Sequence, residues 1–198
     1  MKKQFLFLLL SVILLSSCAT ATLSEFPGVG RVKQYDFYSY DIPPAFDGFR
    51  IGFASDFHYE SRFKRSELNS AVRALKSMHA DVLLLGGDYR GKKGGNLDTL
   101  FTALSRVYTP YGTFAVMGNH DYGYCYSEVV EAMQKNHVRL MENKSYKLMK
   151  DGQYIICLLY TSGAGKTTAS YTVLPEILEC REFVNADEIA KGLSPFNP

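Results

Sequence analysis

The sequence predicts an α/β fold, a parallel sheet covered by helices, and three observations carry that expectation. Short apolar runs at 49–54, 82–85 and 113–117 each stop at a polar or glycine-rich turn. Segments with helical spacing separate them, so the chain reads strand, helix, strand, helix, strand, the order that builds a parallel sheet. The 198 residues are 46% hydrophobic and 21% charged, ordinary globular usage and enough to bury a core. No internal repeat is visible.

Taken in order, Val32 to Ile42 alternates Tyr and Phe with polar residues and reads as an edge strand before the Pro43-Pro44 break. Phe49 to Ala54 is the next strand. From Ser66 to Met78, Leu68, Val72, Leu75 and Met78 recur at helical spacing against a polar opposite face. Val82 to Leu85 is a fully apolar strand closed by Gly86-Gly87. Leu97 to Val107 reads as a second helix, Thr113 to Met117 as a third strand and Ser127 to Lys135 as a further helix. Val138 to Met141, Tyr146 to Met149 and Tyr154 to Leu159 read as strands.

Chemistry gathers where the first three sheet strands end. Asp56-Phe57-His58, Gly87-Asp88 and Gly118-Asn119-His120-Asp121 set carboxylate, imidazole and carboxamide groups just after the apolar runs. In an open α/β sheet those carboxyl ends share one rim. Mixed oxygen and nitrogen ligands suit manganese, iron or zinc better than calcium. Two such ions lower the pKa of a shared water and neutralise charge on a phosphoryl group under attack. Singly, each motif is weak: a lone histidine after a strand is usually structural, and Gly-Asp marks many turns. Three in this order at strand ends are far more specific. The order D-x-H, G-D, G-N-H-D resembles that of the calcineurin-like metallophosphoesterases.

The resemblance implies roles residue by residue. Asp56 and His58 correspond to ligands of a first metal, Asp88 to the carboxylate that bridges both ions, and Asn119 to a ligand of the second. His120 corresponds to the general acid that protonates the leaving alkoxide, with Asp121 orienting its ring. Arg90 has two uses open to it, a phosphate oxygen or a surface salt bridge, with the salt bridge favoured. The family pattern continues with a further histidine motif and a closing G-H-x-H, and nothing after Asp121 matches either. The remaining histidines, His79 and His137, stand after a helix and before a strand and read as surface residues. The expectation is a truncated phosphoester hydrolase, weakest at its second metal and inactive as written, acting on a small-molecule or lipid phosphoester.

The ends of the chain carry separate expectations. Lys2-Lys3, the apolar run Phe5 to Leu15 and Leu15-Ser16-Ser17-Cys18 resemble a bacterial lipoprotein signal, with Cys18 the lipidated residue. The run is shorter than the roughly 20 residues that span a bilayer. Residues 1–17 are then a signal peptide and 18–31 a tether, which places the protein in the cell envelope, membrane-anchored on the extracytoplasmic side. The formal charge of +2 vanishes once Lys2 and Lys3 are removed, so no nucleic-acid surface is implied. Cys125, Cys157 and Cys180 are odd in number and suggest no disulfide framework.

At the other end, Gly163-Ala164-Gly165-Lys166-Thr167-Thr168 has the phosphate-cradling end of a P-loop, although Tyr160 stands where its first glycine belongs. With the stretch 183–196 it resembles the zeta-toxin P-loop kinases. That resemblance implies ATP and magnesium held by Gly163, Gly165, Lys166 and Thr167, with Asp187 a base. Residues 157–162 can be encoded by a nucleotide string similar to a transposon mosaic end, which predicts a chimera. The expected division is a phosphoesterase domain at 32–156, a junction at 157–162 and a kinase-like P-loop helix fragment at 163–198. The alternatives are an ATP-binding kinase fragment and a non-catalytic surface lipoprotein.

Overall fold

A computed structural model describes residues 26–29, 32–61, 63–91, 95–142 and 144–159. Cys18, Gly163, Gly165, Lys166 and Thr167 therefore lie outside the described residues. Four parallel strands form the main sheet: β1 (Ile51–Ala54), β2 (Val82–Leu85), β3 (Thr113–Ala115) and β4 (Val138–Leu140), side by side in chain order. Between them run α1 (Arg65–Ser77), α2 (Leu97–Leu104), the short α3 (Asn119–Tyr124) and α4 (Tyr126–Lys135). A hairpin follows, β5 (Lys144–Lys150) against β6 (Gln153–Leu159).

The two faces of the sheet are covered differently, and strand alternation decides which residue faces which cover. Leu83, Leu85, Ala115 and Met117 meet Leu68, Val72 and Leu75 of α1, Leu100, Phe101 and Leu104 of α2, and Val129 and Met133 of α4 in one buried cluster. Val82, Phe114 and Val116 point the other way, into a smaller cluster with Phe46, Met141 and Leu148, flanked by Tyr146 and Ile155 of the hairpin. Helices thus cover one face and the hairpin shields part of the other.

Local chemistry sets the helix ends. The Glu67 carboxylate reaches back to accept the Lys64 N–H at 2.7 Å, and the Asn96 side chain accepts the Thr99 N–H at 2.9 Å. His79 and His137 follow α1 and α4 at left-handed φ of 48° and 57°, both exposed, as expected of surface residues at helix ends. Asp151-Gly152, at φ 49° and 77°, makes the two-residue turn of the hairpin.

One expectation is corrected. The alternating run 32–42 forms no strand: it has no ladder partner among the described residues, and Tyr35, Phe37, Tyr38 and Tyr40 are exposed. Alternation alone does not make a strand without a neighbour to receive its backbone bonds. The stretch after Met117 opens a short helix, so Asn119 to Asp121 are its first turn.

Candidate metal centre

The site is assembled at the carboxyl ends of β1, β2 and β3 by backbone before any side chain contributes. The chain after β1 lies along the chain after β2: the Asp56 N–H donates to Gly87 O (3.0 Å), His58 N–H to Asp88 O (2.9 Å) and Tyr59 N–H to Tyr89 O (2.9 Å). Asp56, His58 and Asp88 all take left-handed backbone angles, φ 59°, 40° and 57°. Such angles are uncommon outside glycine and cluster where function demands them.

Two glycines let the G-D and G-N-H-D turns touch. Gly87 has φ 96°, and a Cβ there would stand 2.7 Å from Gly118 Cα. At Gly118 a Cβ would stand 2.5 Å from the Asp88 amide nitrogen and 2.6 Å from its Cγ, closer still to Oδ1. Neither position has room for a side chain.

The side chains then converge. Donor atoms of His58, Asp88 and His120 lie within 4.8 Å of one another. His58 Nε2 is 3.7 Å from Asp56 Oδ1 and 3.9 Å from Asp88 Oδ2, while the other Asp88 oxygen accepts the His120 backbone N–H at 3.0 Å. The His58 and His120 rings meet edge-on, centroids 4.8 Å apart. Ligands about 2.1 Å from one ion stand roughly 3.4 Å apart in a tetrahedral shell. Spacings of 3.7 to 3.9 Å are too long for hydrogen bonds and close to those of ligands around a cation. His58 is buried, Asp88 and His120 half-buried, and Asp56 and Asn119 exposed. The donor set fits a divalent ion.

His120, expected as an acid, thus stands among the donors as well. Asp121 is placed otherwise than expected. Its fully buried carboxylate does not turn to orient the His120 ring: Oδ2 accepts the N–H groups of Asp88 (2.7 Å) and Gly118 (2.8 Å), and Oδ1 that of Tyr89 (3.0 Å). Burial pushes this carboxyl up while the three N–H donors pull it down. Asp121 is a clamp that ties the β2 turn to α3. Beneath it the buried Tyr89 hydroxyl donates toward Val116 O (2.9 Å) and Leu85 O (3.2 Å), and burial raises its pKa well above the ordinary range. Arg90 pairs with Glu128 of α4, which is the salt-bridge use.

The family model for calcineurin-like phosphoesterases matches residues 49–182, two thirds of the chain. The chain belongs to that family. An "Uncharacterized metallophosphoesterase" of Aquifex aeolicus is 25% identical over 118 residues, 60% of this chain and 45% of that protein. The metallophosphoesterase YkuE of Bacillus subtilis is 30% identical over 103 residues, 49% of this chain and 35% of its own length. A bovine "Transmembrane protein with metallophosphoesterase domain" is 28% identical over 81 residues, 41% of this chain and 18% of that protein. The chain spans less than half the length of these curated relatives. The family match also runs through 157–162 and into the segment that resembles a P-loop. No helix among the described residues is long and apolar enough to cross a membrane.

Proposed function

We propose that the chain is a metal-dependent phosphoester hydrolase held at a bacterial membrane by lipidated Cys18, with its domain beginning near residue 32. The observation that carries the catalytic reading is the convergence of His58, Asp88 and His120 from three separate strand ends. Asp56, His58 and Asp88 would hold a first divalent ion, and Asp88 with Asn119 would hold a second. The ions supply charge neutralisation at phosphorus and an acidified water.

The chain's own groups do the rest. The His120 N–H bond to Asp88 Oδ1 fixes that carboxylate and leaves its other oxygen facing His58. The His120 ring protonates the departing oxygen as general acid. The second ion would have two donors, Asp88 and the neutral oxygen of Asn119, where the first would have three, and so would bind more weakly. Titration of the purified chain with Mn2+ should show one tight and one weaker site. Hydrolysis of bis-p-nitrophenyl phosphate by the 198-residue chain should be negligible with added Mn2+ and should appear when the residues after Ile156 are replaced by the continuation of a relative. Asp88→Asn should abolish Mn2+ binding. Mn2+ binding left intact by Asp88→Asn would refute the assignment. For the anchor, Cys18→Ser should release the protein from membranes, and retained lipid labelling in that variant would exclude it.

A further inference from the structure

At the β4 edge of the main sheet a cleft of about 380 Å³ opens beside α4, and none of the proposed metal ligands lines it. Val130 and Met133 of α4 and Leu140 of β4 give it an aliphatic wall, while Arg139 and Lys144 bring two cations. That volume is of the order of small-molecule sites.

The cations are held without a protein counter-charge. Arg139 is exposed, yet its guanidinium is fixed 5.5 Å from the Phe114 ring centre and 5.0 Å from that of Tyr146, and it donates to the Tyr146 hydroxyl at 2.5 Å. One donor of its fork is used there, and four more remain. Lys144 leaves β5 on the same face as Tyr146 and Leu148, the face turned toward the main sheet. Among the described residues neither cation is in an ion pair.

A carboxylate does line the same cleft, but it is engaged elsewhere. Glu142 Oε1 accepts the Tyr122 hydroxyl at 2.9 Å and Oε2 accepts the Tyr126 hydroxyl at 2.8 Å. Each oxygen has its donor, and the acid does not close on Arg139 or Lys144. Two cations against one carboxylate leave the cleft a single positive charge beside an aliphatic wall.

We propose that this cleft binds an amphipathic monoanion, a medium-chain aliphatic carboxylate whose head pairs with Arg139 and Lys144 and whose tail lies on Val130, Met133 and Leu140. The guanidinium fork matches a carboxylate in geometry, and the wall rewards each methylene it removes from water. The site stands apart from the hydrolase reading and needs no metal.

Calorimetric titration of the full chain with octanoate, with and without Mn2+, tests it. Octanoate should bind at one site, with butanoate and 1-octanol each weaker by about tenfold or more, the first for want of tail and the second for want of charge. Arg139→Gln and Lys144→Gln, the latter at an exposed residue outside the core, should each weaken octanoate about tenfold. The double variant Tyr122→Phe, Tyr126→Phe keeps both rings and every charge but frees Glu142 to pair with the cations, so octanoate should again bind about tenfold weaker. Failure of octanoate to bind, octanol binding as tightly, or an affinity indifferent to all three variants overturns the proposal. So does binding that appears only with Mn2+, which would put the carboxylate on the metal centre instead.

Discussion

Gly118→Ala isolates the contact on which the metal centre depends. Gly118 has φ −89° and ψ 175°, a backbone conformation open to any residue, so alanine costs nothing there in dihedral strain. The whole effect is steric. The new Cβ would stand 2.5 Å from the Asp88 amide nitrogen and 2.6 Å from its Cγ, distances that real Cβ contacts do not show. Asp88 must move, and with it the carboxylate shared by His58 and the His120 N–H. Overpacking of this kind costs about 1–3 kcal/mol. At about 2–4 °C of Tm per kcal/mol for a chain of this size, the fold survives with a lowered melting point. Metal binding should suffer more than stability. Disturbing even the groups that orient a ligand lowers affinity about 10–100-fold, and here the ligand itself is displaced. Gly87→Ala provides the contrast: its Cβ would meet Gly118 backbone rather than a side chain, at a φ of 96° that alanine avoids. That variant should lose the fold before it loses the metal. Calorimetric titration with Mn2+ beside thermal melts reads both quantities. If Gly118→Ala bound Mn2+ as tightly as the unmodified chain while Asp88→Ala did not bind it, the packing argument would be wrong.

Three further outcomes follow from the same geometry. Asp121→Asn should cost about 1–3 kcal/mol, because one carbonyl oxygen and an NH2 group cannot accept from the Asp88, Gly118 and Tyr89 N–H groups together. Chemical denaturation measures it, and an unchanged midpoint would contradict the clamp. Tyr89→Phe removes one hydroxyl donor from Val116 O but leaves Leu85 O its bond from the Val116 N–H, so the loss should be about 0.5–1.5 kcal/mol with Mn2+ affinity unchanged. The Cys157 thiol is pushed up to about 11 by burial, so the reactive thiolate is scarce at pH 8 and its alkylation should keep accelerating as pH rises toward 11. Peptide mapping after iodoacetamide treatment follows it, and a rate that levels off near pH 9 would refute the shift.

Much of the sheet was legible because its strands are short, apolar and separated by helices of clear period. Val82 to Leu85 has the predicted bounds, and α1 differs from its predicted span by a residue at each end. The run 32–42 shows the limit of that reasoning: Tyr35, Phe37 and Tyr40 supply strand composition but no partner receives them. The hairpin turn had a readable signal in Asp151-Gly152, which the strand assignments around it left unused. At the site, residue types and order pointed to a shared rim. They could not show that Asp121 spends its oxygens on three amides, because a carboxylate beside a histidine looks the same in sequence whichever partner it takes. Nor could they reveal that the Tyr122 and Tyr126 hydroxyls both donate to the Glu142 carboxylate, 20 and 16 residues further along the chain.

The conformations of Asp56, His58 and Asp88 join these observations into one physical picture. Three non-glycine residues in left-handed angles cost of order 1–3 kcal/mol each, and all three are proposed ligands. Nothing intrinsic to aspartate or histidine favours that arrangement strongly enough to hold it. The three N–H to carbonyl bonds between 56–59 and 87–89, together with the Asp121 clamp on Asp88 and Tyr89, over-determine the backbone and keep it there. Here the backbone is strained in the places where carboxylate and imidazole must face one another at 3.7 to 3.9 Å, short of a hydrogen bond and near the spacing of ligands around an ion. Ligands held that way need little reorganisation when a cation arrives, so strain carried by the fold becomes affinity at the site.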